Sequence, residues 1–343
     1  MNFFSLTSEQ AAAEFSSRFG KSRLHAFAVY RDLFSRGKRS AMAVVELADD
    51  PLFAQLLDRE MRNPSIRIVE QQCDEGVCKF ASTLSDGAII ESVIIPSAGR
   101  TTLCISSQVG CKMGCAFCAT GSMGFVRNLS TDEIVWQLFA ARFIIARQVD
   151  NIVFMGMGEP LDNLDNVAQA VRVFSDQRGF NIPQSRITIS TAGHVDGLAA
   201  LARLNMRHLN LALSLNAAND TLRTQLMPIN KRYPLNQLKA ALKSYPLKKR
   251  GLFFIEYVLL GNVNDAKKNA DEVIDFVTGL PVRVNLIAYN NGSGDLRYAP
   301  PSPEIVQQFR DWLDEAEVFV RVRRSKGQKI MAACGQLSTR LHN

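Results

Sequence analysis

From Arg100 onward the chain alternates, six times over, between an apolar run of strand length and a stretch with helical spacing. The strand-like runs fall at 101–106, 151–156, 186–191, 208–215, 253–260 and 282–288. Helix-like stretches separate them at 130–147, 163–176, 195–204, 234–245 and 265–277, with another at 303–316 after the last. Parallel strands cannot be joined by a tight turn; each needs a crossover of a dozen or more residues, and a helix makes it compactly. Six βα units in series therefore predict an α/β fold, a parallel sheet with helices outside it. Such units either curl into a partial barrel or spread into an open doubly wound sheet, and periodicity does not choose between the two. In both, functional loops gather at the C-terminal ends of the strands.

The segments before Arg100 have other textures. Residues 1–62 read as a helical accessory domain, with apolar residues at helical spacing over Ser8 to Phe19, Arg23 to Ser35 and Pro51 to Met61. Residues 63–100 read as a β-hairpin extension, with alternation over 65–73, 77–84 and 88–96 and a turn at Asp86-Gly87. Residues 101–343 hold the βα units and a C-terminal loop. Ser130-Thr-Asp-Glu133 is a capping box for the first long helix.

The loop after the first strand carries Cys111, Cys115 and Cys118 at spacing C-x3-C-x2-C. Thiolates are the ligands of iron–sulfur clusters. Three without a fourth leave one iron open, and an open metal position serves chemistry rather than scaffolding. Gly110, Gly114 and Gly121 let the backbone wrap closely around an inorganic core. The alternatives are a structural zinc loop, which normally adds a fourth Cys or His nearby, or three unrelated core cysteines.

With 343 residues the chain is long enough for about two domains. MNFFSLTSEQ lacks the basic and apolar regions of a secretory signal. No apolar run approaches the ~18 residues of a membrane span. Seven unevenly spaced cysteines fit a cytoplasmic, catalytic protein better than a secreted disulfide framework. Cys73 and Cys78 read as small buried side chains rather than a redox pair. The net charge of +7 permits a polyanionic partner. Lys21, Arg23, Arg31, Arg36, Lys38 and Arg39 around the second helix form either an RNA-docking face or a solvated one. The same choice attends Lys231-Arg-Tyr233, Lys248-Lys-Arg250 and the group Arg321, Arg323 and Arg324. Glu91, among Ile89, Ile90, Val93 and Ile94, points outward on an alternating strand if pattern alone decides.

The triplet resembles the signature of the radical S-adenosylmethionine (radical-SAM) superfamily. LCISSQVGC, CAFCATG, RNLSTDEI, FMGMGEPL, LMPINKRYP and AACGQL narrow the likeness. From about Arg67 to Leu337 the chain resembles the adenine-methylating ribosomal RNA methyltransferases of the RlmN/Cfr family. That resemblance implies a partial (β/α)6 barrel. It implies one 4Fe–4S cluster on Cys111, Cys115 and Cys118, and two molecules of SAM per turnover. It carries SAM contact to Gly158 and Glu159, to Ser190, to Ser214, Leu215 and Asn216, and to Asn290. Cys334 becomes the S-methyl carrier, Cys104 its resolving thiol, and Glu91 a proton acceptor. The implied partners are RNA, 23S rRNA and also tRNA, and an external electron donor such as flavodoxin. The carrier thiolate calls for positive surroundings that lower its pKa. Two departures stand out. Asn216 replaces a His, and Lys326-Gly-Gln-Lys-Ile330 replaces an R-G-x-D-I lead-in. Carbon 2 of adenine is the expected target, while carbon 8 and another RNA substrate remain open. So do another radical-SAM reaction and a non-enzymatic, zinc-containing RNA-binding protein.

Overall fold

The computed structural model describes residues 1–290, 297–323 and 326–338. Three helices lead: α1 (Ser8–Phe19), α2 (Arg23–Arg36) and α3 (Pro51–Glu60). Each starts where a side chain can accept from the open first turn: Thr7 in a capping box with Gln10, Ser22, and Asp50 ahead of Pro51. Four strands follow, β1 (Arg67–Asp74), β2 (Val77–Thr83), β3 (Ile89–Ser97) and β4 (Arg100–Cys104). Next come β5 (Gln108–Gly110), α4 (Ala119–Ser122), β6 (Phe125–Asn128) and α5 (Thr131–Phe139). The alternating part continues with β7 (Asn151–Phe154), α6 (Leu164–Phe174), β8 (Ile187–Thr191), α7 (Val195–Arg203) and β9 (Asn210–Ser214). It closes with α8 (Asp220–Leu226), α9 (Leu235–Ser244), β10 (Phe253–Leu259), α10 (Lys267–Val277), β11 (Val282–Ala288), α11 (Pro303–Glu315) and β12 (Val320–Arg323).

Ten strands form one sheet in the order β1-β2-β3-β4-β7-β8-β9-β10-β11-β12. From β4 to β12 every pairing is parallel. The order never reverses, so right-handed crossovers lay all the helices on one face and the sheet curls away from them. β1 and β12 do not pair, which leaves the curl open. This is the partial barrel rather than the doubly wound sheet. The β extension joins it edge-on, with β3 antiparallel to β4. β12 is a further parallel strand beyond the six units; four residues with two arginines gave no apolar run to detect.

Three readings are corrected. Cys73 and Cys78 are direct cross-strand partners with Cα atoms 4.1 Å apart, and they are joined by a disulfide. The turn at Glu75-Gly76 sets that register, which spacing alone did not reveal. Glu91 does not face outward: it is 4% exposed, in an ion pair with Lys79 at 2.9 Å. The cations around α2 are mostly engaged. Arg31, Arg36 and Lys38 converge on the fully buried Asp32, Lys21 meets Asp50, Arg23 meets Glu9, and Arg39 lies over the Trp136 ring. Arg324 lies outside the described residues. Among the described residues no helix is long and apolar enough to cross a membrane.

The inner face of the curl mixes polar side chains with apolar ones such as Val153, Met155, Phe254 and Ile287. Thr102, Asn151, Thr188, Asn210, Glu256 and Asn285 all point into it, at alternate positions along their strands. Closed βα barrels fill that space with large branched side chains. Here the polar positions interrupt that packing and the space stays hollow.

Candidate active site

The cysteine loop is pinched at its base by the β5–β6 ribbon. Cys111 N–H donates to Gly124 O at 2.8 Å. Gly110 sits at φ +72°, and a Cβ there would lie 2.0 Å from the Gly124 carbonyl oxygen. A Cβ on Gly121 would lie 2.9 Å from Cys115 O. The backbone therefore folds back on itself more tightly than side chains allow. Cys111, Cys115 and Cys118 line one cavity with the C-terminal ends of β7 to β11. Among the described residues no three His, Cys, Asp or Glu groups converge as a single ion requires. A cluster asks something else, because each thiolate binds its own iron. Burial first, then mutual repulsion, pushes the Cys115 thiol well up, which a cationic guest would reverse.

Gly158, Glu159, Ser190, Ser214 and Asn216 line the same cavity. Glu159 is 2% exposed and accepts from Leu161 N–H at 3.1 Å and Ala192 N–H at 2.7 Å. Burial raises its pKa to about 7 against the pull of those donors. A buried carboxylate in a cavity wall suits an ammonium guest. Leu215 is fully buried in the apolar core, and its N–H donates to Glu256 O, so it supports the wall from behind. Asn290 accepts from Gln328 Nε2 at 2.5 Å and so meets the C-terminal loop.

That loop brings Cys334 into the same cavity. Ala119 N–H donates to Gly335 O at 2.8 Å, and Thr120 Oγ1 donates to Leu337 O at 2.7 Å. Ser338 N–H donates to Glu91 Oε2 at 2.7 Å. Cys334 is enclosed by protein yet keeps accessible surface, because it faces cavities on two sides. Cys104, at the end of β4, is near enough that the Cys334 charge opposes its ionisation.

The radical SAM superfamily model matches residues 105–276. The chain is 43% identical over 338 residues to a probable dual-specificity RNA methyltransferase RlmN 1 of Protochlamydia amoebophila, covering 98% of this chain and 94% of that protein. It is 41% identical over 332 residues to a dual-specificity RNA methyltransferase RlmN of Pelobacter propionicus, covering 96% and 94%. A crystal structure of a radical SAM methyltransferase from Sphaerobacter thermophilus superposes with a TM-score of 0.91 at 35% identity, over 98% of both chains. This chain belongs to the RlmN family of radical-SAM methyltransferases.

In this RlmN-family site, several important residues had no sequence signal. Arg223 is fully buried beneath the wall of the triplet cavity, donating to Leu215 O, Asn230 Oδ1, Ala192 O and Ser214 O. From one helix it ties the ends of β8 and β9 to the turn that holds Asn230. Glu256 lies in the cavity wall and pairs with Arg323 at 3.3 Å. Arg323, read as a candidate phosphate ligand, also feels the charges of both Cys104 and Cys334. The expected lowering of the Cys334 pKa is not found. Burial pushes its thiol up, and Arg323 only partly opposes that.

Proposed function

We propose that this radical-SAM RNA methyltransferase methylates a ring carbon of adenine, carbon 2 or carbon 8, through a methyl group carried on Cys334. The relatives' description as dual-specificity RNA methyltransferases supports two kinds of RNA substrate, which we take to be 23S rRNA and tRNA. The observation that carries the reading is the placing of Cys334 in the cysteine-triplet cavity while Cys104 and Arg323 flank it.

Cys111, Cys115 and Cys118 would hold a 4Fe–4S cluster, with Glu159, Ser190, Ser214 and Asn216 around SAM. When bound, the pair supplies the one-electron chemistry that activates a methyl C–H bond. The chain's own residues do the rest. Cys334, as a thiolate stabilised by the Arg323 guanidinium, takes the methyl group of a first SAM, whose carbon–sulfur bond breaks to leave S-adenosylhomocysteine. Adenine bonds to the carbon on Cys334. Glu91 or Cys104 takes the ring proton. The Cys104 thiolate then attacks the Cys334 sulfur and the carbon–sulfur bond breaks, its electron pair passing to the methylene carbon, which takes up a proton to become the methyl group; the surplus electron of the adduct would return to the redox centre on the three cysteines, and methylated adenine leaves behind a Cys104–Cys334 disulfide. An external dithiol reduces that disulfide before the next turnover.

With Cys104 replaced by Ala, the carbon–sulfur bond has no attacking thiol. RNA then stays attached to the protein through Cys334 and runs with it on a denaturing gel, and Cys104→Ala/Cys334→Ala abolishes the attachment. Multiple-turnover methylation by Cys334→Ala would overturn the reading. Mass spectrometry of the product nucleoside assigns the carbon.

A further inference from the structure

A second cavity lies along the inner face of the curl, toward the N-terminal ends of the strands. At about 730 Å³ it is larger than the about 160 Å³ of the triplet cavity. Met155, Glu256, Ile287 and Cys334 stand in the walls of both, so Cys334 sits at the partition. The two compartments differ in charge. Arg100, Arg186, Arg283, Arg321, Arg323 and Lys326 line the second, and Glu256 is the single carboxylate among its described lining residues. Arg100, Arg186, Arg321 and Lys326 are exposed, while Arg283 and Arg323 are half-buried deeper in. This is a funnel of positive charge that narrows toward Cys334.

The one carboxylate is already engaged. Glu256 pairs with Arg323 and accepts from Asn285 Nδ2 at 2.7 Å. Among the described residues no carboxylate pairs with Arg283 or Arg321. Arg283 lies over the Phe254 ring at 4.3 Å, its Nε is buried without a hydrogen-bond partner, and so is Asn285 Oδ1. Arg283 and Arg321 repel each other, and only Glu256, already paired with Arg323, opposes that at Arg283. Anionic oxygens relieve that cost, and a guanidinium fork suits phosphate. Most cations of the basic face around α2 are held in ion pairs, so the unpaired guanidinium groups inside the curl are the better polyanion site.

We propose that Arg283 and Arg321 bind backbone phosphates flanking the target adenosine, so that RNA enters the second compartment and meets the Cys334 methyl from the side opposite SAM. This rests on the RNA reading above. It goes further in assigning the entry face and two phosphate ligands on it. A target base reaching this depth must be unstacked, so the phosphates concerned belong to a loop or single strand.

The test is binding of the anaerobically purified holoenzyme to a fluorescent RNA stem-loop, measured from 50 to 200 mM KCl. Each single-strand phosphate neutralised contributes about 0.7 to the log–log salt slope. Arg283→Gln/Arg321→Gln should bind more weakly and flatten the slope by about 1.4, and the Lys/Lys double variant should restore it. Arg321→Gln alone changes an exposed side chain, so it serves if the double variant folds poorly; its slope should fall by about 0.7. Removing two charges outside, Lys249→Gln/Arg250→Gln, should leave the slope alone. Unchanged slopes in the inner variants, or a loss confined to the outer pair, would overturn the assignment while RNA binding stood. Wild-type protein that fails to bind RNA would sink the functional reading as well.

Discussion

Glu159 carries the clearest pH signature of any single residue. Its carboxyl has an ordinary value of 4.5 when unfolded and about 7 in the fold, because burial disfavours the charge. Between those values the native state holds a proton that the unfolded chain has lost, so stability falls as pH rises. Urea denaturation of the ligand-free protein should show the stability present below pH 4.5 and lost by about pH 7, and Glu159→Gln should flatten that limb. Asn216 shows why a departure from a family motif can be tolerated. It sits at φ +56°, a region Asn enters more readily than most residues. Its Oδ1 accepts from Val258 N–H at 2.9 Å, so the side chain pins β10 to the end of β9. In the changed lead-in, Lys329 comes within 4.0 Å of Asp74 on β1, and Gln328 reaches Asn290. The acidic position has become a cation that finds its carboxylate on the β extension.

At the level of elements, the cysteine loop depends on the ribbon that closes it. Gly110→Ala would combine left-handed strain with a Cβ 2.0 Å from Gly124 O. The expected outcome is a protein that keeps its far-UV circular dichroism but loses most of its iron after anaerobic reconstitution. Iron content equal to wild type would refute the idea that the pinch shapes the loop. The helices of the βα part were legible because their apolar stripes are regular. α5 begins at the capping box read from Ser130 and Glu133, and α6, α7, α9, α10 and α11 begin and end within about two residues of the expected ranges. β12 and the disulfide hairpin were not legible. One is too short and too charged to carry a period, and the other depends on register, which two cysteines five apart do not disclose.

Over the whole molecule, the leading helices share a core with the barrel. Phe4, in a short turn before α1, packs its ring 5.2 Å from Phe34 of α2 and 5.2 Å from Phe139 of α5. Trp136 and Phe139 stack at 5.6 Å behind it. Phe4→Ala should cost about 3–5 kcal/mol through the cavity it leaves. Calorimetry should then show a single transition moved to lower temperature, since the aromatic contact couples both parts. An early separate transition for the leading helices, with the main one unmoved, would show that they unfold alone.

Local chemistry was written in the chain: period two and period 3.6, capping side chains, glycines beside cysteines, and three thiols within eight positions. These act over a few residues, so they can be read without coordinates. What folding alone decided is long-range. Which face of β3 carries Glu91 depends on the antiparallel edge it joins. Which cavity receives Cys334 depends on a loop stitched to Ala119 and Thr120, more than two hundred residues earlier. The inward arginines of β11 and β12 become a funnel only because the sheet curls without closing. No pattern within one segment encodes that, because it is set by how every strand packs against the next.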